Sequence, residues 1–123
     1  MAQTMLNLKK RMATDADLSR EIQVASADGA ITIKSSTVLI TKAGVCAMTL
    51  AAPAAADDGV RIVFITTTAQ AHTLTVPSAI GVNGGTTGTD VGTWTAAIGN
   101  NIVLVAYNGN WYTEGTPKGV TLG

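Results

Sequence analysis

Charged residues are concentrated at one end of this 123-residue chain, and their scarcity elsewhere strongly restricts how it can fold. Half of its Lys, Arg, Asp and Glu residues lie within residues 1–28. Soluble domains usually keep about a quarter of their residues charged. The rest of this chain carries only Lys34, Lys42, Asp57, Asp58, Arg61, Asp90, Glu114 and Lys118. This distribution predicts a module whose surfaces are covered by neighbours, preceded by a charged arm.

The length predicts one domain with a short appendage. The formal net charge is zero and the cations form no stripe, so we expect no nucleic-acid partner. No apolar run approaches the roughly 20 residues that span a membrane, so we expect no membrane partner. Lys9, Lys10 and Arg11 follow Leu8 at once, which is unlike a secretory signal peptide. We therefore expect synthesis in the cytoplasm and no secretory route.

Residues 1–28 are predicted to form an N-terminal arm, and residues 29–123 the module. Met5, Leu8 and Met12 recur at helical spacing, but the amphipathic pattern is weak. We expect the arm to be partly helical or extended. A segment of this kind becomes ordered when it meets a partner surface.

From residue 29 onward the apolar period changes to two, which predicts about eight short strands. Residues 45–50 place Cys46, Met48 and Leu50 on one face, and residues 60–67 are apolar on both faces, which indicates burial on both sides. Residues 78–92 are predicted to form a long loop. Asn108-Gly109 predicts a two-residue hairpin turn. The pattern is typical of an all-β sandwich or barrel, jelly-roll-like in character.

No constellation of residues predicts chemistry. His72 is the only histidine and Cys46 the only cysteine, and the two cannot complete a zinc site by themselves. Asp57 and Asp58 are adjacent and lack a calcium-loop context, so a turn explains them better. We expect no enzyme activity, no metal and no cofactor, and structural roles for His72 and Cys46.

The order of several short motifs resembles a small β-rich module of tailed-bacteriophage structural proteins. The resemblance spans residues 36–115, and the hairpin that ends in Asn-Gly-x-Trp-Tyr is its most specific part. The motifs are Lys42-Ala43-Gly44, residues 48–53, residues 58–64, residues 71–76, Val82-Asn83-Gly84-Gly85 and residues 102–112.

The resemblance implies a homotrimeric capsid decoration protein, also called a cement protein. Such a protein lies on the exterior of the virion, binds the lattice of the major capsid protein and stabilises contacts between its subunits. Related modules form the tips of phage fibres. The short arm and the lack of a repeat or heptad shaft favour the cement protein over a fibre.

This hypothesis assigns two groups of contact residues. The arm residues expected to contact the capsid are Met5, Leu8, Lys9, Lys10, Arg11 and Met12. The residues expected at subunit contacts or in an exposed loop are Asn83, Gly84, Gly85, Trp94 and Trp111.

Two alternatives remain. The first is a fibre or spike tip that recognises a host receptor through residues 78–92. The second is a carbohydrate-binding module that stacks sugars on Trp94, Trp111 and Tyr112.

Overall fold

Two five-stranded β-sheets pack face to face in the computed structural model, which describes residues 21–123. Two short 3₁₀ turns occupy Ala55–Asp57 and Thr86–Gly88. The all-β sandwich prediction is confirmed, and the sheets do not close into a barrel. The ten strands are β1 (Glu21–Ala25), β2 (Gly29–Ala30), β3 (Ser36–Ile40), β4 (Ala47–Thr49), β5 (Arg61–Thr66), β6 (Thr73–Thr75), β7 (Val91–Trp94), β8 (Asn101–Tyr107), β9 (Asn110–Thr113) and β10 (Val120–Leu122).

The chain alternates between the two sheets through its first six strands. The first sheet has the order β1-β3-β5-β8-β9, and the second has the order β10-β7-β6-β4-β2. Because of this winding, β1, β3 and β5 are parallel neighbours, and so are β2, β4 and β6. The remaining neighbours pair antiparallel. The parallel pairs distinguish this sandwich from a jelly roll, which is built from antiparallel strands.

The core lies between the sheets and takes alternate residues from each strand, because successive side chains of a strand point to opposite faces. Cys46, Met48 and Leu50 are buried while the residues between them are exposed, which confirms the predicted alternation. The core is aliphatic apart from a few large aromatic side chains. The largest fully buried side chains are Trp94, Trp111, Phe64, Ile40, Met48 and Leu50.

Residues 21–28 belong to the sandwich, which corrects the predicted boundary between arm and module at residue 28. β1 pairs with β3 over its whole length, beginning with Glu21 opposite Ser36. The Gln23 amide donates to the backbone oxygen of Thr32 at 2.9 Å and accepts from the Thr32 N–H at 3.1 Å. The sequence pattern missed β1 because only two of its side chains are large and apolar. The partner of β1 is the parallel strand β3, and this pairing is a feature of the tertiary structure.

The predicted loop at residues 78–92 covers the free edge of β9. Val82 forms a parallel bridge with Trp111, and the Asn83 N–H donates to the Trp111 carbonyl oxygen at 2.9 Å. The Asn83 side-chain oxygen accepts from the Thr113 N–H at 2.9 Å. An exposed strand edge is a template for pairing with another chain. Here the loop satisfies that edge within the module.

The hairpin between β8 and β9 forms at the predicted Asn108-Gly109 turn. The φ angles of the two residues are 50° and 78°, as a two-residue turn of this type requires. Tyr107 and Asn110 face each other across the first rung of the ladder. The Asp58 carboxylate accepts from the Asn108 N–H at 2.8 Å. The turn is therefore tied to the connection that precedes β5.

Replacing Gly81 in the edge-covering loop should destabilise the fold. Gly81 has a φ of +62°, and a Cβ there would collide with the backbone oxygen of Thr86. We expect Gly81→Ala to lower the free energy of unfolding by about 1–3 kcal/mol, measured by denaturant titration. Gly88, in the same loop, has open space around it and no left-handed φ. Gly88→Ala should change stability by less than about 0.5 kcal/mol, and equal effects of the two variants would contradict this account.

Candidate functional site

His72 is fully buried and hydrogen-bonded on both sides of its ring. Its Nδ1 atom accepts from the Cys46 N–H at 3.0 Å, and its Nε2 atom lies 3.0 Å from the hydroxyl of Thr68. The Thr68 hydroxyl donates to the Lys42 carbonyl oxygen at 2.8 Å, so Nε2 is the donor to Thr68. The imidazole is therefore neutral. It links Cys46, in the connection between β3 and β4, to Thr68, in the connection between β5 and β6. This is the structural role that the sequence predicted.

The other residues considered for chemistry are also engaged in the fold. Cys46 is a free, buried thiol, and burial raises its pKa, which makes it a poor nucleophile. Asp57 accepts from the Ala54 N–H at 2.8 Å, which places it in a turn as predicted. Within residues 21–123, no three side chains of His, Cys, Asp or Glu come together as a metal site.

Trp94 and Trp111 lie in the core, which corrects their predicted place at a subunit contact or in an exposed loop. Their exposed fractions are 1% and 0%. The Trp94 indole N–H donates to the Asn100 carbonyl oxygen at 3.1 Å, and that of Trp111 to the Ala51 carbonyl oxygen at 2.8 Å. Strand alternation alone does not say which side of a strand faces inward. Both residues turned out to lie on the inner side.

The remaining predicted contact residues are found in two places. Asn83 and Gly84 are exposed at the tip of the loop that covers β9, and Gly85 beside them is half-buried. Their predicted role at a subunit contact stays a prediction. The predicted capsid contacts of the arm lie outside the described residues; they are Met5, Leu8, Lys9, Lys10, Arg11 and Met12.

The surface that sequence reasoning did not single out is the side of the first sheet that faces away from the second, hereafter the outer face. The strand register aligns Val24, Leu39 and Ile65 in one row across three strands. Ile22 and Val24 are 61% and 62% exposed. The residues of the outer face are Ile22, Val24, Thr37, Leu39, Arg61, Val63, Ile65, Asn101, Val103, Val105, Tyr107, Asn110, Tyr112 and Glu114.

Charge on the outer face is limited to Arg61 and Glu114, which neutralise each other. Arg61 Nε and Nη2 donate to Glu114 Oε2 at 2.9 and 2.7 Å, and this pairing raises the pKa of the guanidinium. Two further ion pairs join Lys34 to Glu21 and Lys42 to Asp28, each at 2.8 Å. Lys34, Glu21, Lys42 and Asp28 do not belong to the outer face, which is mostly apolar and carries no net charge.

The signal for this surface was present in residues 60–67. Their apolar character on both faces indicated burial on both sides. The structure covers the inner side with the second sheet. Val63, on the outer side, is only 7% exposed because β3 and β8 flank it, whereas Arg61 and Ile65 stay partly exposed. No strand of residues 21–123 packs over this side.

Comparison with models of known protein families, with curated proteins and with solved structures gives no match for this chain. No helix in residues 21–123 is long and apolar enough to cross a membrane.

The burial of neutral His72 should make stability depend on pH. Burial is the main cause that lowers the pKa of His72 from 6.5, and the nearby Lys42 charge adds to it. Because the unfolded chain then binds the proton more readily, the free energy of unfolding should fall as the pH drops below about 6.5. Above that pH the contribution is fully present. Denaturant titrations between about pH 5 and pH 8 would measure this slope.

The His72→Gln variant provides the control, since this chain has no other histidine. The variant should be less stable than the parent at pH 8 because it loses hydrogen bonds in the core. Its stability should change little between about pH 5 and pH 8. A slope equal to that of the parent would show that another group is responsible.

Proposed function

We propose that this chain is a virion structural protein, a capsid decoration protein that assembles as a homotrimer through its outer face. The observation that carries the proposal is the apolar outer face on a module that has no arrangement for catalysis among its described residues. The resemblance of residues 36–115 to modules of phage structural proteins supplies the class of assembly.

The outer face has the composition of a buried surface. A sheet with one side in water normally alternates apolar residues inward with polar residues outward. Here the outward positions of β1, β5 and β8 are mostly Val and Ile. Contiguous exposed apolar surface marks sites of protein association, and the centre of such sites is depleted of charge. This supports a role in assembly for the outer face.

Copies of the same chain are the partners that best fit the outer face. An uncharged apolar surface has to be covered before the protein meets a capsid, or the free protein would aggregate. A neutral surface also needs no complementary charge on its partner. A cyclic trimer closes such contacts without leaving an open end. We therefore assign the outer face to contacts between copies.

The proposed mechanism on the capsid is additive. A trimer that binds only the assembled lattice stabilises it by mass action. Three linked copies bind together far more tightly than one, because the second and third contacts form within one complex. A trimer placed over the junction of neighbouring capsid subunits would hold them together.

The carbohydrate-binding alternative loses support in the structure. Two of its three proposed stacking platforms, Trp94 and Trp111, are buried. Tyr112 alone remains at the surface, with 40% of its area exposed. A fibre or spike tip stays an alternative, and the location of the protein on the particle distinguishes it from a decoration protein.

A charge at the exposed end of the row formed by Val24, Leu39 and Ile65 should abolish self-association. Val24 is 62% exposed, so Val24→Lys should change the stability of the single chain by less than about 0.5 kcal/mol. We expect light scattering to give about three times 12.5 kDa for the parent and a single chain for the variant. The control Thr93→Lys, at an exposed position on the second sheet, should remain trimeric. A parent that is monomeric, or a variant that stays trimeric, would contradict the role of the outer face.

Electron microscopy with an antibody against the chain tests the class of virion protein. The particles should come from the phage whose genome encodes this sequence. We expect label distributed over the head. Label confined to fibre tips would support the fibre alternative, and absence of label on intact particles would reject the decoration role.

A further inference from the structure

An apolar groove of about 400 Å³ opens at one end of the sandwich. Its floor includes Ile31, Leu50 and Val76, each of which directly follows the last residue of β2, β4 or β6. Leu50 and Val76 are 1% and 2% exposed, so the accessible apolar lining is supplied by Ile31 with Ala30, Ala51 and Pro77. Its rim includes Thr49 and Ser78. The parallel winding aligns these strand ends, so the groove runs across three successive turns of the chain.

The first described residues enter the sandwich beside this groove. β1, β3 and β5 all begin at the end of the module where β2, β4 and β6 finish. Gln23 is hydrogen-bonded to Thr32, the neighbour of Ile31 in the groove floor, at 2.9 Å. Glu21 forms an ion pair with Lys34 at 2.8 Å. The chain therefore enters β1 next to the groove.

The opposite charges of residues 1–20 and of this end of the module also favour their association. Their formal charge is +2, from four cations and two aspartates, so residues 21–123 carry −2. Asp57, Asp58 and Asp90 lie at the groove end, and none of them forms an ion pair with a described residue. The Asp90 backbone oxygen accepts from the N–H of Val76, in the groove floor, at 2.9 Å.

We propose that residues 1–20 dock on their own module, with the apolar side chains of Met5, Leu8 and Met12 in the groove. The flexible thioether side chains of methionine suit an irregular apolar surface. Lys9, Lys10 and Arg11 then lie close to the acidic end of the module. This role differs from the capsid contact expected for the apolar residues of the arm, and it does not depend on the proposed decoration function.

The stretch between the docking residues and β1 is long enough to reach the groove. Even as a helix with a rise of 1.5 Å per residue, the stretch from Leu8 to Glu21 reaches about 20 Å. Covalent attachment gives the segment an effective concentration in the millimolar range at its own groove. A weak apolar contact is therefore sufficient to keep the groove occupied.

Paramagnetic broadening of amide signals in the full chain tests the proposal. A spin label on Asn7→Cys is placed within the docking segment, and the native Cys46 is buried and protected from labelling. We expect loss of amide signals at Thr49, Ala51 and Ser78, in the groove. Signals at Ala43 and Ala96, at the opposite end, should be kept. Unchanged groove signals would overturn the proposal.

Two further measurements identify the occupant. Thr49→Trp should fill the groove and restore the broadened signals, whereas Ala47→Trp, two residues earlier on the same exposed face of β4, should not. Equal behaviour of the two variants would argue against the groove. Mixing spin-labelled chain with isotope-labelled chain that carries no spin label tests exchange between copies. Broadening only within the labelled chain is expected, and broadening across the mixture would assign the groove to a second copy instead.

Discussion

The alternation of successive strands between two sheets is the constraint on which the rest of this structure depends. Because β1, β3 and β5 stack in parallel in one sheet, equivalent positions form rows such as Val24, Leu39 and Ile65. The same winding aligns the ends of β2, β4 and β6 in the other sheet. Both the outer face and the apolar groove are consequences of this single arrangement. Neither exists in any one strand.

The two ends of the sandwich differ in chemistry. At one end, His72 joins the connections that contain Cys46 and Thr68, and the Asp28 carboxylate accepts from the Ala47 N–H at 2.9 Å. Asp28 also pairs with Lys42, which together with the Ala47 N–H holds the pKa of this carboxyl below its usual value. Polar side chains thus satisfy the backbone of the tight turns at this end. At the other end the turns leave an apolar groove beside the entry of residues 1–20.

Scarcity of charge connects the fold to the proposed assembly. The ion pair of Arg61 with Glu114 is the one ion pair among the described residues that lies on the outer face, so this broad face carries no net charge. Such faces can be buried without the desolvation cost that charged groups carry. The free edge of β9, in contrast, is closed by the chain itself through Val82 and Asn83. The module therefore leaves a face, and not that strand edge, for association.

The local features of this protein followed from its sequence. Strand alternation at residues 45–50, the Asn108-Gly109 hairpin and the structural role of His72 are all properties of neighbouring residues, and period and turn chemistry predict them. The parallel pairing of β1 with β3, the inward direction of Trp94 and Trp111, and the grouping of the outer face depend on residues far apart in the chain. An apolar period of two shows that a strand has two different faces, but it does not show which face is covered. Only the packing of the two sheets decided this, because burial of one side of each strand leaves the other side as the surface.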